Sequence, residues 1–383
     1  MKILVTCHGF LTPSMTFIYN QIKALQNQGH IVEVVACERK NEHLFPLENV
    51  HIYKEEKDYN YIISAFKRKL NIEFTYFSTS FSKKFQKHLA TFKPDIIHCH
   101  FGTHFFRLGD YFKKNPIPTI ITFHGYDASA ALTNNTYCQS LKKVFGNPLV
   151  IGTAVSEAIK SNLVSIGIPS EKILVDYLGV DIDFFQKETP RQLDPTAPTT
   201  FLQISNFVEK KGHQYTIKAF RKHLDSTQRN DILIFGGAGP LYDEMTKLSE
   251  DLNLQQNIKF VGLVDRFQVK NLMEKADFFV HHSITAADGD TEGLPTVLME
   301  AMAMDLPCIS TIHAGIPEII SNGQTGLLVE ERNIEAMAKA FSAIKKLDCE
   351  TRSVVENKFN LKKNTKKIDA IFESLTKRNA KSE

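Results

Sequence analysis

Residues 288–300 read DGDTEGLPTVLME, the pattern of a helix entered from a loop, with one carboxylate before the entry and one beyond it. Pro295 fits the first helical position, where its missing N–H and fixed φ cost nothing. Glu292 and Gly293 then fall in the entering loop. The amides of the first turn, around Leu294, Thr296 and Val297, are left free to face an anion, so the segment reads as a phosphate socket. Glu300 lies one and a half turns further on, inside the otherwise apolar run VLMEAMAM. Drawn toward the interior, its carboxylate needs hydroxyl or amide donors, and the hydroxyls of a ribose suit it. Both acids also have plainer uses: Glu292 as dipole compensation at a helix start, and Glu300 as a solvent-facing residue on an apolar helix.

The rest of the chain sets limits on that socket. With 383 residues, 43% apolar and 23% charged, it is long enough for two globular domains with full cores. The apolar run after Lys2 is too short for a secretory leader, and no stretch approaches the length of a membrane span. The six cysteines, Cys7, Cys37, Cys99, Cys138, Cys308 and Cys349, form no C-x-x-C pair. They read as free buried thiols of a reducing cytoplasm. Net charge is +3, unevenly spread. Residues 66–70 (FKRKL) and 81–87 (FSKKFQK) interleave bases with large apolar side chains, as would a helix lying on an anionic membrane on the inner face of the plasma membrane, or one with an ordinary solvated face. No nucleic-acid-binding motif accompanies the charge.

Short apolar runs alternate with helical patterns. In the first half they fall at 2–7, 31–37, 95–98, 119–123 and 149–154, with a helix near 15–28. Continuous apolar strands separated by helices predict a parallel sheet covered on both faces. After the Pro-rich stretch TPRQLDPTAPT at 189–199 the pattern restarts, with strands at 201–204, 232–235, 258–261, 278–281, 308–310 and 326–329. The expectation is an N-terminal domain over 1–188, joined by a C-terminal helix from about 355 to 383, and a second domain over 200–354. Each is a Rossmann-like doubly wound α/β sheet. The last helical stretch is expected over about 351–375. In such sheets ligands sit at the C-terminal edge of the strands.

Three further segments fall at such edges. FGGAGPL at 235–241 follows a strand and opens a helix, so Gly237 and Gly239 allow either a tight turn or a close approach to a ligand; the spacing fails as a dinucleotide fingerprint. HGYD at 124–127 follows the strand 119–123, where His124 can reach a sugar hydroxyl or a phosphate oxygen, with Asp127 beside it. The loop from Cys7 to Thr16 offers Gly9, Ser14 and Thr16 to an acceptor or phosphate, Ser14 also being placed to cap the helix from Met15. His98, His100 and His104 lack a matched acid or cysteine set, so no metal site is read there. D-x-D occurs twice, at Asp181/Asp183 and Asp288/Asp290, and both pairs are taken as loop acids.

The spacing of Glu292 and Glu300 resembles the E-x7-E signature of the family 4 retaining glycosyltransferases of the GT-B fold. Other segments match in order: DIIHCHFG at 95–102, HGYD at 124–127, Ser156, Gly179-Val180-Asp181, Lys210-Lys211-Gly212, the 236–241 turn and HAGIPE at 313–318. The chain is similar to bacterial enzymes that build colanic-acid-like and other exopolysaccharide repeat units. The resemblance implies two domains facing a cleft and a final helix crossing back to the first. It also implies transfer of a hexose from a nucleotide diphosphate sugar, expected to be UDP-linked, to a saccharide or lipid-linked acceptor, with no metal and no cofactor. Glu300 would hold the ribose, Glu292 and His124 would stand at the donor sugar, and Lys211 would grip the diphosphate with the amides from Gly293 and Leu294 through Pro295, Thr296 and Val297. One departure stands out: where the family carries an Arg in G-R-L, this chain has Ser205-Asn206-Phe207, and Asn206 brings hydrogen bonds without charge. A non-hydrolysing nucleotide-sugar epimerase, a two-lobed sugar-binding protein and a non-catalytic GT-B partner subunit stay open as alternatives.

Overall fold

A computed structural model describes residues 1–11, 15–76, 78–108, 117–189, 194, 196–347 and 349–380. The chain divides into two compact units, one formed by Met1–Gly179 with Leu361–Glu383 and the other by Val180–Asn360.

The first unit holds a seven-stranded sheet of order β3-β2-β1-β4-β5-β6-β7. Its strands are β1 (Lys2–Phe10), β2 (Ile31–Arg39), β3 (Val50–Ile52), β4 (Ile96–His100), β5 (Thr119–Phe123), β6 (Val150–Ala154) and β7 (Ile173–Val175). All pair in parallel, and β4, β5 and β6 are buried along their whole length, as continuous apolar strands in a doubly covered sheet must be. The helix Leu361–Ala380 belongs to this unit and lays Ile368, Phe372 and Leu375 on the core built from Ile3, Val5, Ile18 and Ile22.

The second unit holds a six-stranded parallel sheet of order β10-β9-β8-β11-β12-β13: β8 (Thr200–Ile204), β9 (Ile232–Gly236), β10 (Ile258–Phe260), β11 (Phe278–His281), β12 (Cys308–Thr311) and β13 (Gly326–Val329). In both sheets chain order reverses beside the first strand, at β1/β4 and at β8/β11. In such sheets the loops leaving those strands part there and form the crevice in which ligands bind.

Several expected boundaries shift. β1 runs through Phe10, with Gly9 paired to Glu38, so Gly9 is a strand residue rather than part of a loop. The helix expected from Met15 starts at Thr16 with Met15 at its N-cap; Ser14 lies outside the described residues. The expected last helix is two, Arg352–Lys358 and Leu361–Ala380. They are parted where the Phe359 carbonyl leaves the helix to accept the Val180 N–H at 2.8 Å. Cys349 is only half-buried, unlike the other five free thiols.

Candidate active site

The β8/β11 crevice of the second unit gathers most of the expected residues. From β11 the chain passes through the loop 282–295 into the helix Thr296–Ala303. Pro295 takes the N-cap rather than the first helical position, with φ −65° and ψ 107°. Its carbonyl accepts the Leu298 N–H, while the amides of Thr296 and Val297 bond to nothing among the described residues. The first turn therefore keeps free donors at the positive end of the helix. Leu294 and Gly293 are buried behind it.

Glu292 is 7% exposed, and its carboxylate lies 2.7 Å from Lys211 Nζ. Burial alone would push its pKa up. Lys211, and then Lys210, outweigh that and hold it down to about 2, so Glu292 is an anion at any physiological pH. Lys210 Nζ pairs with Asp290 at 2.8 Å. Burial works to lower the Lys210 ammonium, but Glu292 and Asp290 leave it raised. Asp288 accepts the Asp290 N–H within its own loop. The acids of this D-x-D are thus committed, one to a turn and one to a lysine. Asp181 of the other D-x-D accepts the Phe184 N–H.

Lys211 is aimed by its neighbour. Gly212 has φ +58°, and a Cβ there would stand 1.9 Å from the His282 carbonyl oxygen, so only glycine lets the segment press against the end of β11. The expected glycines do something similar. A Cβ on Gly237 would lie 2.0 Å from the Ser205 carbonyl oxygen, and one on Gly239 2.6 Å from that of Phe207. These two permit a close approach of the chain's own 205–207 segment. Asn206 is exposed on that segment.

Glu300 is partly buried, and its carboxylate accepts no hydrogen bond among the described residues. Burial, opposed by Arg266, raises its carboxyl to about 7, the signature of an acid short of donors. Two residues to which the sequence assigned no role complete the surroundings. His313 accepts the Glu292 N–H at Nε2, 3.1 Å, and its Nδ1 lies 2.6 Å from Glu331, so Glu331–His313–Glu292 form a chain that fixes the loop. His281 is fully buried with both ring nitrogens unpartnered. His313 follows an apolar strand just as His124 does, which was the available signal for it.

In the first unit, His124 lies between the rings of Phe17 and Phe101 at 4.7 and 4.6 Å, its Nε2 3.0 Å from His100 Nδ1. Burial lowers its pKa to about 3, so it is a neutral imidazole. Asp127 is wholly buried and accepts N–H bonds from Gly102, His124 and Gly125, which hold the loop after β5. His98 and His104 bond separately to Thr122 and Thr6. Thr16 opens its helix, half-buried.

The two basic clusters lie on the helices Tyr59–Lys69 and Thr79–Phe92. Lys67 pairs with Glu73 and Lys84 with Glu56, while Lys69, Lys83 and Lys87 are exposed. Tyr59, Ile62, Phe66 and Leu70, at helical spacing, are 52–77% exposed, an apolar stripe turned to solvent. No helix among the described residues is long and apolar enough to cross a membrane.

Comparison with known proteins gives the family. Residues 15–184 match the profile of Glycosyltransferase Family 4, and residues 185–367 that of Glycosyl transferases group 1. The chain is 32% identical over 301 residues to an Escherichia coli K12 protein assigned to colanic acid biosynthesis as glycosyltransferase WcaL, across 74% of this chain and 71% of that one. It is 30% identical over 249 residues to the amylovoran biosynthesis glycosyltransferase AmsK of Erwinia amylovora, across 63% of this chain and 60% of that one. Anabaena HepE, solved in complex with UDP and glucose, has the same fold, with TM-score 0.74 over 98% of this chain and all of that one at 16% identity. The chain belongs to the family 4 and group 1 glycosyltransferases and has their GT-B fold.

Proposed function

We propose that this glycosyltransferase moves a hexose, with retention at the anomeric carbon and without a metal ion, from a UDP-linked sugar to a saccharide or lipid-linked acceptor in the synthesis of a bacterial surface polysaccharide. The observation that carries this reading is one loop of the second unit. It joins the free amides of Thr296 and Val297 to the buried Lys211–Glu292 pair, with the donor-starved carboxyl of Glu300 one and a half turns on. The amides and Lys211 suit a diphosphate, and they stabilise it most as charge builds on it during departure. In the free protein Lys211 and Glu292 neutralise each other, which spares each the cost of standing buried and uncompensated. An incoming diphosphate gives Lys211 a second anionic partner and leaves the Glu292 carboxylate to the sugar.

Glu300 takes the ribose hydroxyls. Neutral His124 donates to or accepts from a sugar hydroxyl, and Asn206 adds a hydrogen bond to the diphosphate. Donor recognition is assigned to the second unit and acceptor recognition to the first. Among the described residues no carboxylate is assigned as a covalent nucleophile, so front-face displacement is the working mechanism. The polysaccharide setting is supported by the colanic acid and amylovoran relatives, and the base by the UDP bound to a protein of the same fold.

The exposed stripe Tyr59, Ile62, Phe66 and Leu70, flanked by Lys69, Lys83 and Lys87, suits an anionic lipid surface, where a lipid-linked acceptor would be met. A thermal-shift panel of UDP, GDP, ADP and their sugars tests the donor assignment. A ligand at 100 times its dissociation constant adds about 2.7 kcal/mol of apparent stability. Stabilisation by UDP compounds is the expected result, and none by any nucleotide overturns the reading.

A further inference from the structure

Away from the β8/β11 crevice, three metal-ligating side chains converge on the outer edge of the first sheet. Glu33 lies on β2 and His51 on β3. The register pairs Val35 with His51, and Glu33, two residues before Val35, shares its face of the sheet. His88 reaches the same point from the helix Thr79–Phe92. Glu33 Oε2 lies 3.2 Å from His51 Nε2 and 3.0 Å from His88 Nε2, and one donor atom from each residue falls within 4.8 Å of the others. Without a cation both Nε2 atoms face the same Glu33 oxygen as ion-pair partners, so the three donor atoms are already gathered at one point.

We propose that Glu33, His51 and His88 form a binding site for a divalent transition-metal cation of the Zn2+ class, separate from the glycosyl-transfer site. Around a tetrahedral Zn2+, with bonds of about 2.0–2.2 Å, neighbouring donors stand about 3.4 Å apart. The two separations to Glu33 are within a few tenths of an ångström of that. Two imidazoles and one carboxylate are the donor set such a cation takes, with a fourth position left for water. The site has an outer partner: Tyr53 Oη lies 3.0 Å from His88 Nδ1, and with Nδ1–H donating to that hydroxyl the Nε2 lone pair is the one that ligates. The His51 side chain is 38% exposed while that of His88 is 7% exposed, so an ion has a way in and a rigid back wall. The cation would tie the three-residue edge strand β3 to β2 and to the helix behind it, joining residues far apart in the chain.

The test uses the full chain, stripped with EDTA, exchanged into chelator-free buffer and titrated with Zn2+ against a chromophoric competitor, with Co2+ in parallel for its four-coordinate visible spectrum. One equivalent is expected to bind. Saturation should raise the melting temperature by about 5–10 °C at 100 times the dissociation constant. Glu33→Gln and His51→Ala, both at partly exposed positions, should abolish the equivalent and the thermal shift while leaving the circular dichroism unchanged. Tyr53→Phe should weaken binding about 10–100-fold. His8→Ala is the control, because His8, Cys37 and Glu55 form the other cluster of this kind among the described residues. Absence of stoichiometric binding, binding unaltered in Glu33→Gln and His51→Ala, or loss in His8→Ala alone overturns the proposal.

Discussion

Replacing Glu300 with Gln is expected to stabilise the free protein and weaken its hold on nucleotide at the same time. A carboxyl that titrates near 7 in the fold and near 4.5 in the unfolded chain costs roughly 3 kcal/mol to keep ionised, at 1.36 kcal/mol per decade. Because the folded value is raised, the native state favours the protonated acid. The associated stability is therefore complete below pH 4.5 and is lost as pH rises through 7. Glu300 is only partly buried, and solvent screening reduces the figure to about 1–3 kcal/mol. Glutamine has the same shape and no charge, so it escapes this loss. Thermal denaturation at pH 4 and pH 8 is the assay: the variant should match wild type at pH 4 and melt about 2–10 °C higher at pH 8. Nucleotide titration of the same samples should show weaker binding, chiefly as a raised KM for the donor, because a ribose contact serves ground and transition states alike. A variant less stable than wild type at pH 8 would refute the reasoning, since it would mean that the free protein already supplies the carboxylate with donors.

Glu292→Gln should act on kcat instead, lowering it about 30–1,000-fold through a contact made mainly in the transition state. It should also cost the free protein about 3–5 kcal/mol by leaving Lys211 buried and unpaired, read by steady-state kinetics and denaturation. In the wild type the stability from that depressed carboxyl is complete above pH 4.5 and should be lost as pH falls toward about 2, measurable by acid titration of the fold. Turnover should survive EDTA, because Asp288 and Asp290 are committed to a turn and to Lys210; abolition reversed by Mn2+ would sink the reading of that loop. Sedimentation with phosphatidylglycerol vesicles should be salt-sensitive and should fall when Lys67, Arg68, Lys69, Lys83, Lys84 and Lys87 become Gln, with about 1 kcal/mol per exposed base at stake. Unchanged binding would make the patch a solvated face.

The two sheets were legible because parallel strands buried on both faces write themselves as unbroken apolar runs. β3 and β7 did not show: each is a three-residue edge strand with half-exposed positions, so neither period nor composition marks it. The break between the last two helices was hidden as well, since Lys358-Phe359-Asn360 contains no glycine or proline. The break coincides with a long-range hydrogen bond from Val180 to the Phe359 carbonyl. In the candidate site, the helix entry at Pro295 and the odd carboxylate of Glu300 were readable locally. The Lys211–Glu292 pair joins residues 81 positions apart, and the Glu331–His313 support reaches Glu292 only through the fold. Composition located the basic helices but could not say that Tyr59, Ile62 and Phe66 face outward.

The central claim is retaining transfer from a nucleotide diphosphate sugar. It is tested most directly by proton NMR of the sugar that the full chain first releases or transfers from the UDP-sugar selected by the thermal-shift panel, recorded before mutarotation. The account calls for an α-configured product from an α-linked donor, abolished in Glu292→Gln. A β-configured first product, or conversion of the donor to its 2-epimer without transfer, would contradict it.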